Sequence, residues 1–174
     1  MIAMSTITLM TFAEFEKLPE LPGKQELIDG ELILMPPPDK KHSTVAMRIA
    51  GILWDSPVRD RVRGDHTGYR VGPGWLEPDA SILWPDQPAD DNYYLRSPMI
   101  AVEILSPGEE LERKLTLYFA EGVLEVWVVD IRRKSMTVYV RREQQVMRED
   151  VVEQYRSEAA QVSISLAELF AALD

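Results

Sequence analysis

Three carboxylates and one lysine have the types and spacing that could hold a metal ion beside a phosphate. Glu26 lies in a predicted hairpin strand, Asp79 follows Pro78 at the start of another predicted strand, and Glu103 interrupts an apolar run. Lys114 follows Glu103 by eleven residues on a predicted helix. Carboxylates at adjacent strand ends, with a lysine from a packed helix, suit a hard cation such as Mg²⁺ that activates water against a phosphodiester.

Glu103 carries the most information, because the run M-I-A-V-E-I-L predicts a buried strand. A buried carboxylate needs a cation, a basic side chain or a metal, or else it takes a proton. Each residue also has an ordinary structural explanation. Glu103 could face solvent or pair with an arginine, Glu26 could be solvated beside its hairpin, and Lys114 could be a surface cation. The four together point to chemistry more strongly than any one of them.

Two further polar residues, His42 and Ser106, have side chains that could take part in chemistry. His42, in the first turn of a predicted helix, could orient a phosphate or a water, or could bond to nearby backbone. Ser106 has no evident histidine partner, which argues against a serine nucleophile.

A hairpin and a helix should position the first of these residues. Asp-Gly at positions 29–30 between two apolar runs predicts a hairpin of Gln25–Ile28 and Glu31–Met35, because glycine accepts positive φ. Asp39 can cap a helix that runs to about Trp54, with one apolar face. Glu26 would then lie in the first hairpin strand and His42 in the first turn of the helix.

A strand–helix–strand unit should position Glu103 and Lys114. Met99–Leu105 and Val123–Asp130 are predicted buried strands, and Glu109–Glu121 is a predicted helix that stops at Gly122. Such a unit should be parallel and right-handed. The remaining predicted elements are a capped helix at Thr11–Leu18, an irregular segment with one strand at Arg59–Gly74, a strand at Asp79–Trp84, a hairpin partner at Met136–Val140, a strand pair at Val146–Tyr155, and a capping box at Ser165–Glu168 that opens a closing helix to Leu173.

These elements predict a mixed β-sheet flanked by helices, of class α/β or α+β. The length of 174 residues favours a single domain that spans residues 1–174. Within it we expect an N-terminal helix and hairpin at 11–35, a core at 39–140, and C-terminal strands and a helix at 145–174.

Composition excludes several classes of protein. Hydrophobic residues make up 45% of the chain, which argues against disorder, and the absence of cysteine excludes disulfides and thiol nucleophiles. No apolar run is long enough for a membrane span and no secretory leader is evident, so we expect a cytoplasmic protein. The net charge of −10 excludes a polycation that coats DNA. It still allows a local acidic site with a basic rim.

The chain resembles the Uma-two family of restriction endonuclease-like proteins, within the PD-(D/E)XK nuclease superfamily. The resemblance covers roughly 11–140, with a weaker match in the final helix. The order and spacing of the matching stretches carry it: T-F-A-E-F-E-K-L, E-L-I-D-G-E-L (Glu26–Leu32), E-P-D-A-S-I-L (Glu77–Leu83), A-V-E-I-L-S-P (Ala101–Pro107), K-L-T-L-Y (Lys114–Tyr118) and G-V-L-E-V-W-V-V-D (Gly122–Asp130).

The resemblance implies a restriction endonuclease-like core, often dimeric, that cleaves DNA with Mg²⁺ or Mn²⁺. Asp79 and Glu103 would be the paired metal ligands, and Glu26 would complete the cluster. The superfamily places a lysine two residues after the second acid, where this chain has Leu105. The resemblance implies that this lysine has moved to the helix as Lys114, where it would assist the attacking water.

The leading hypothesis is therefore a metal-dependent DNA endonuclease. The alternative is a non-catalytic dimeric binding or regulatory module that keeps the fold, which the acidic charge favours. An acidic DNA mimic is a third possibility, against which the buried position of Glu103 argues. Basic clusters could flank a DNA groove or could be solvated loops, and Glu31–Met35 and the C-terminal helix are candidate dimer surfaces. The clusters are Arg59, Arg61 and Arg63, then Arg132, Arg133 and Lys134, then Arg141 and Arg142.

Overall fold

A six-stranded mixed sheet lies at the centre of the computed structural model, which describes residues 9–173. Its strands come from the middle and late parts of the chain. In chain order, the strands of all three sheets are β1 (Lys24–Ile28), β2 (Glu31–Met35), β3 (Val62–Arg63), β4 (Tyr69–Val71), β5 (Gly74–Leu76), β6 (Ala80–Ile82), β7 (Ile100–Ile104), β8 (Glu125–Asp130), β9 (Ser135–Arg142), β10 (Gln145–Asp150), β11 (Gln154–Ser157) and β12 (Val162–Ser165). The helices are α1 (Phe12–Phe15), α2 (Lys40–Trp54), α3 (Leu111–Ala120) and α4 (Leu166–Phe170), with 3₁₀ turns at Arg59–Arg61 and Ala171–Leu173.

The strand order of the large sheet is β10-β9-β8-β7-β6-β3. β7 and β8 pair in parallel, with α3 as their crossover, and the other pairs are antiparallel. The predicted parallel strand–helix–strand unit is therefore confirmed. A second sheet has the order β2-β1-β5-β4, and β11 and β12 form a separate pair. The predicted mixed sheet with flanking helices is confirmed as an α+β fold.

The large sheet is covered on both faces, which explains why β7 and β8 are almost continuously apolar. One face packs against α2, α4 and the β11–β12 pair, and Val102 of β7 belongs to this core. The other face packs against α3 and the second sheet, and Ala101 belongs to that core. Because side chains alternate along a strand, Glu103 shares the face of Ala101 and points towards α3.

The β1–β2 hairpin and α2 form as the sequence predicts. Asp29 and Gly30 both have positive φ, at 51° and 80°, which is the geometry of a two-residue turn that matches strand twist. At the start of α2, the Asp39 side chain accepts a hydrogen bond of 2.8 Å from the backbone N–H of His42. This cap fixes the start of the helix and the position of His42 in its first turn.

Other expected elements differ from the structure. α1 covers only Phe12–Phe15, although the capping box of Thr11 and Glu14 is present. The segment 59–74 holds two short strands and the start of a third rather than one, because strands of two or three residues show too little alternation to be detected.

The C-terminal expectations also need correction. Val146–Tyr155 is not a strand pair. β10 pairs with β9, whereas β11 pairs with β12, a strand outside the predicted elements. Ser165 precedes α4 but makes no side-chain capping bond, so the predicted capping box is wrong there. Contacts between distant segments, rather than local pattern, decide these pairings.

Candidate active site

Asp79, directly before β6, lies beside Glu103 of β7. β6 and β7 pair antiparallel with Ala80 opposite Val102, and Asp79 itself lies just outside this paired register. Its backbone N–H donates to the Val102 carbonyl at 2.9 Å, and its carboxylate accepts from the backbone N–H of Ile104 at 2.6 Å. These two bonds, one on each side of Glu103, hold the Asp79 carboxylate beside that residue.

The Asp79 carboxylate is buried and fully engaged. Its Oδ2 accepts a bond of 2.6 Å from the backbone N–H of Ile104, and its Oδ1 accepts one from Lys24 Nζ and lies 3.4 Å from His42 Nε2. Burial opposes ionisation, but the bonds from His42 and Lys24 outweigh it and lower the pKa of Asp79 from its ordinary value to about 2. Asp79 is therefore ionised at neutral pH and is attractive to cations.

Glu103 is fully buried, with 0% of its surface exposed. Tyr118 Oη donates to its Oε1 at 2.7 Å, and Lys114 Nζ donates to its Oε2 at 2.6 Å. Burial raises the pKa of Glu103 to about 8, and the nearby carboxylates of Glu26 and Glu109 raise it against the opposite effect of Lys114. Glu103 therefore holds a proton far more readily than an ordinary glutamate.

Lys114 is the centre of a buried ion-pair network. Its Nζ lies 2.6 Å from Glu103, 2.9 Å from Glu109 and 3.1 Å from Glu26. Lys114 and Tyr118 are one turn apart on α3, which is why both reach Glu103. Burial alone would lower the pKa of Lys114, but the three carboxylates raise it well above its ordinary value. The ammonium group is thus a permanent cation that holds the acids together.

Glu26 has one engaged oxygen and one that is not. Its Oε1 accepts a bond of 3.0 Å from the backbone N–H of Glu77, in addition to the contact with Lys114. Its Oε2 is buried and has no hydrogen-bond partner among the described residues. A buried carboxylate oxygen without a partner is costly, so this atom is a candidate ligand for a cation.

The structure brings Glu26, Glu103 and Lys114 into direct contact, whereas Asp79 lies beside them with partners of its own. Those partners, Lys24 and His42, complete the site. We refer to the acids Glu26, Asp79, Glu103 and Glu109 as the carboxylate cluster.

Sequence reasoning missed Lys24 and Glu109 as members of this site. Lys24 is buried, and besides Asp79 it contacts Asp65 Oδ1 at 3.1 Å. It stands two residues before Glu26 in β1, so the alternation of a strand puts both on one face and could have revealed it. Glu109 precedes α3 and showed no comparable signal. The His42 side chain contacts Asp79 rather than nearby backbone.

The site opens to the surface through a groove. A pocket of about 20 Å³, room for about one water molecule, lies beside Lys24, His42, Asp79 and Glu109. It adjoins a groove of about 540 Å³, with which it shares His42 and Ser106. The groove is lined by Met35, Pro36, Pro37, Pro38, Asp39, Lys41, His42, Leu105, Ser106, Pro107, Ile131, Arg132, Lys134 and Leu173.

The donor set of the cluster fits a hard divalent cation, although the acids do not form a ready cage. Four carboxylates face two ammonium groups, those of Lys24 and Lys114, so the cluster carries more negative than positive charge. All its donors are oxygens, the ligands that Mg²⁺ prefers. Within residues 9–173, no group of three or more metal-ligating side chains is preassembled, because the ammonium groups lie between the acids.

The mixed sheet with its flanking helices defines a restriction endonuclease-like fold. The crystal structure of a "putative nuclease belonging to DUF820" from Anabaena variabilis superposes with a TM-score of 0.80 at 24% identity, covering 95% of this chain and 99% of that one. A sequence model of the family described as "Uma2: Putative restriction endonuclease" matches residues 12–172, and the chain belongs to this family. No curated protein sequence matches the chain.

The structure also bears on membrane association. Among residues 9–173, no helix has the length and apolar character needed to cross a bilayer.

Proposed function

We propose that this protein is a nuclease that hydrolyses phosphodiester bonds of DNA with the help of Mg²⁺ or Mn²⁺. The family and the fold support a nuclease role. The observation that carries the finer proposal is the position of Asp79 beside Glu103, held there by its bonds to Val102 and Ile104. In the same cluster, the Oε2 of Glu26 has no hydrogen-bond partner among residues 9–173. Asp79, Glu103 and Glu26 would hold the metal. A bound divalent cation would supply an activated water and would neutralise charge that develops on phosphate.

Different basic residues would serve different parts of the reaction. Lys114 is a positioning residue in this proposal: its Nζ donates to buried carboxylates and its raised pKa makes it a poor base. This role differs from the water-assisting role expected for it. Lys24 and His42 adjoin the small pocket beside Asp79, where their positive charge would meet the phosphate.

For a metal to bind, at least one ammonium–carboxylate bond must be exchanged for a metal–carboxylate bond. The bond between Lys24 and Asp79 is the more accessible, because it borders the small pocket, whereas Lys114 is 1% exposed. We therefore expect Lys24 to move when the metal binds and to remain close enough to meet an anionic substrate.

The experiment that tests the proposal is cleavage of supercoiled plasmid in Mg²⁺ or Mn²⁺ by the wild type and by Asp79→Asn and Glu103→Gln. We expect losses of at least about 100-fold, since residues that merely support metal ligands already contribute about 10–100-fold. Asp86→Asn, an exposed acid on the loop after β6, is the matched control and should cleave normally. Cleavage that survives both site substitutions would refute the assignment.

A second candidate function is a non-catalytic module that keeps this fold. The observation that favours it is the pairing of buried acids with Lys24 and Lys114, which stabilises the cluster without a metal. This candidate predicts that Mg²⁺ or Mn²⁺ neither supports cleavage nor raises the Tm. A metal-binding nuclease should cleave DNA and should show a higher Tm with the metal.

Homodimerisation stays a prediction. Strand β2 lies at the edge of its sheet, and its Leu34 is 53% exposed, so an edge-to-edge dimer through Glu31–Met35 would bury this side chain. Light scattering after size exclusion would test it, with Leu34→Glu expected to give monomers. A wild-type monomer would remove this part of the proposal.

A further inference from the structure

We propose that the groove beside the carboxylate cluster binds an unpaired strand of DNA rather than an intact duplex. The inference rests on the proposed function, because it names the form of substrate that reaches the same site. Three features of the groove carry it: its charge, its size and its apolar walls.

The charge of the groove is opposite to that of the protein. The whole chain carries 29 acidic and 19 basic residues, yet the groove lining holds Lys41, Arg132 and Lys134 against the single acid Asp39. The Oδ1 of Asp39 accepts the backbone N–H of His42 and caps α2. A local concentration of basic side chains beside a buried acidic site would bind a phosphate backbone and guide it towards Asp79.

The size of the groove limits what can enter. Its volume of about 540 Å³ lies within the range of about 300–1,000 Å³ that is usual for small-molecule sites. Asp79 is 3% exposed and Glu103 is 0% exposed, so a phosphate must enter below the protein surface to reach them. A duplex is stiff over many base pairs, whereas an unpaired strand can bend its backbone into such a space.

The walls of the groove are suited to exposed bases. Pro36–Pro38, Leu105, Ile131 and Leu173 present apolar surface between the basic side chains. In a duplex the faces of the bases are stacked on one another and unavailable. In an unpaired strand they can pack against apolar side chains while the phosphates meet the cations.

The test measures binding to the full chain in EDTA by fluorescence anisotropy. It compares a labelled oligothymidylate with a labelled blunt duplex of equal length. We expect the strand to bind at least about 10-fold more tightly than the duplex. Arg132→Ala should weaken strand binding several-fold and reduce the salt slope by about 0.7, the value for one lost phosphate contact on a single strand.

Arg133→Ala is the matched control. Arg133 is the next residue in the same turn and the substitution removes the same charge, but its guanidinium lies 3.3 Å from Asp130 Oδ2 and does not line the groove. It should leave strand binding within about twofold, since exposed rim charges contribute little.

The outcomes separate this inference from the proposed function. Strand binding that depends on Arg132 supports single-strand binding in the groove, even if plasmid stays intact in Mg²⁺. Intact plasmid counts only against the proposed nuclease activity. Single-strand binding in the groove would be overturned, even if plasmid is cleaved, by equal binding of strand and duplex, by equal effects of Arg132→Ala and Arg133→Ala, or by no binding of the strand.

Discussion

Lys114 Nζ lies 2.6 Å from Glu103 Oε2 in a part of the protein where both side chains are 1% exposed. The pair joins α3 to β7, two of the three elements of the strand–helix–strand unit. Glu26 and Glu109 share the same ammonium group, so removing any one partner leaves charges without compensation inside the protein.

Replacing Lys114 with Met should destabilise the fold strongly. The substitution leaves three carboxylates buried without their cation, and breaking a buried ion pair in this way costs about 3–5 kcal/mol. Urea denaturation would measure the change, with the exposed Lys17→Met as control. Adding Glu103→Gln to Lys114→Met should recover part of the loss. A loss below about 1 kcal/mol, typical of exposed pairs, would show that the network does not stabilise the protein.

Metal binding should release a proton from Glu103. Burial raises the folded pKa of Glu103 to about 8, so near neutral pH this carboxyl takes up a proton more readily than an ordinary glutamate, whereas a metal binds only the carboxylate. Affinity for Mn²⁺ should therefore rise with pH up to about 8 and level off above it. Calorimetry in two buffers of different ionisation enthalpy would count the protons released.

Glu103→Gln is the control for that linkage, because it cannot lose a proton. Its residual Mn²⁺ binding should release fewer protons than the wild type. Wild-type affinity that does not change with pH would contradict the proposed role of Glu103 as a ligand.

Asp79 should stabilise the protein in a way that acid removes. Its folded pKa is about 2, below the ordinary value, so the stabilisation is fully present above the unfolded pKa and is lost as pH falls towards about 2. The difference in unfolding free energy between wild type and Asp79→Asn should shrink across that window. Denaturation at several acidic pH values would measure it, and a difference that stays constant would show that the ion pairs of Asp79 contribute nothing.

His42 should titrate above its ordinary pKa. Burial lowers the pKa of the imidazole, but the bond to Asp79 outweighs it and the net shift is upward. In Asp79→Asn the titration of His42, followed by NMR, should move to lower pH. Glu158→Gln, an exposed acid in the turn between β11 and β12, should leave it unchanged. A His42 pKa that is the same in wild type and in Asp79→Asn would mean that the 3.4 Å contact is absent in solution.

Local sequence signals are sufficient to predict several elements of this protein. Asp29–Gly30 fixes the hairpin because both residues accept positive φ, and Asp39 fixes the start of α2 by capping it. The apolar run around Glu103 made β7 a buried strand, and a carboxylate in such a strand needs compensation. The fold class and the candidate acids Glu26, Asp79 and Glu103 followed from these signals and from the family resemblance.

The partner of each buried charge depends on how distant segments pack in three dimensions. Lys24 pairs with Asp79 across 55 positions of sequence, and Lys114 gathers carboxylates from β1, β7 and the residue Glu109. Charge and type alone do not specify such pairs, because several lysines and many acids could satisfy them. Strand register and the packing of α3 on the sheet select one arrangement, since only neighbours in space can compensate a buried charge.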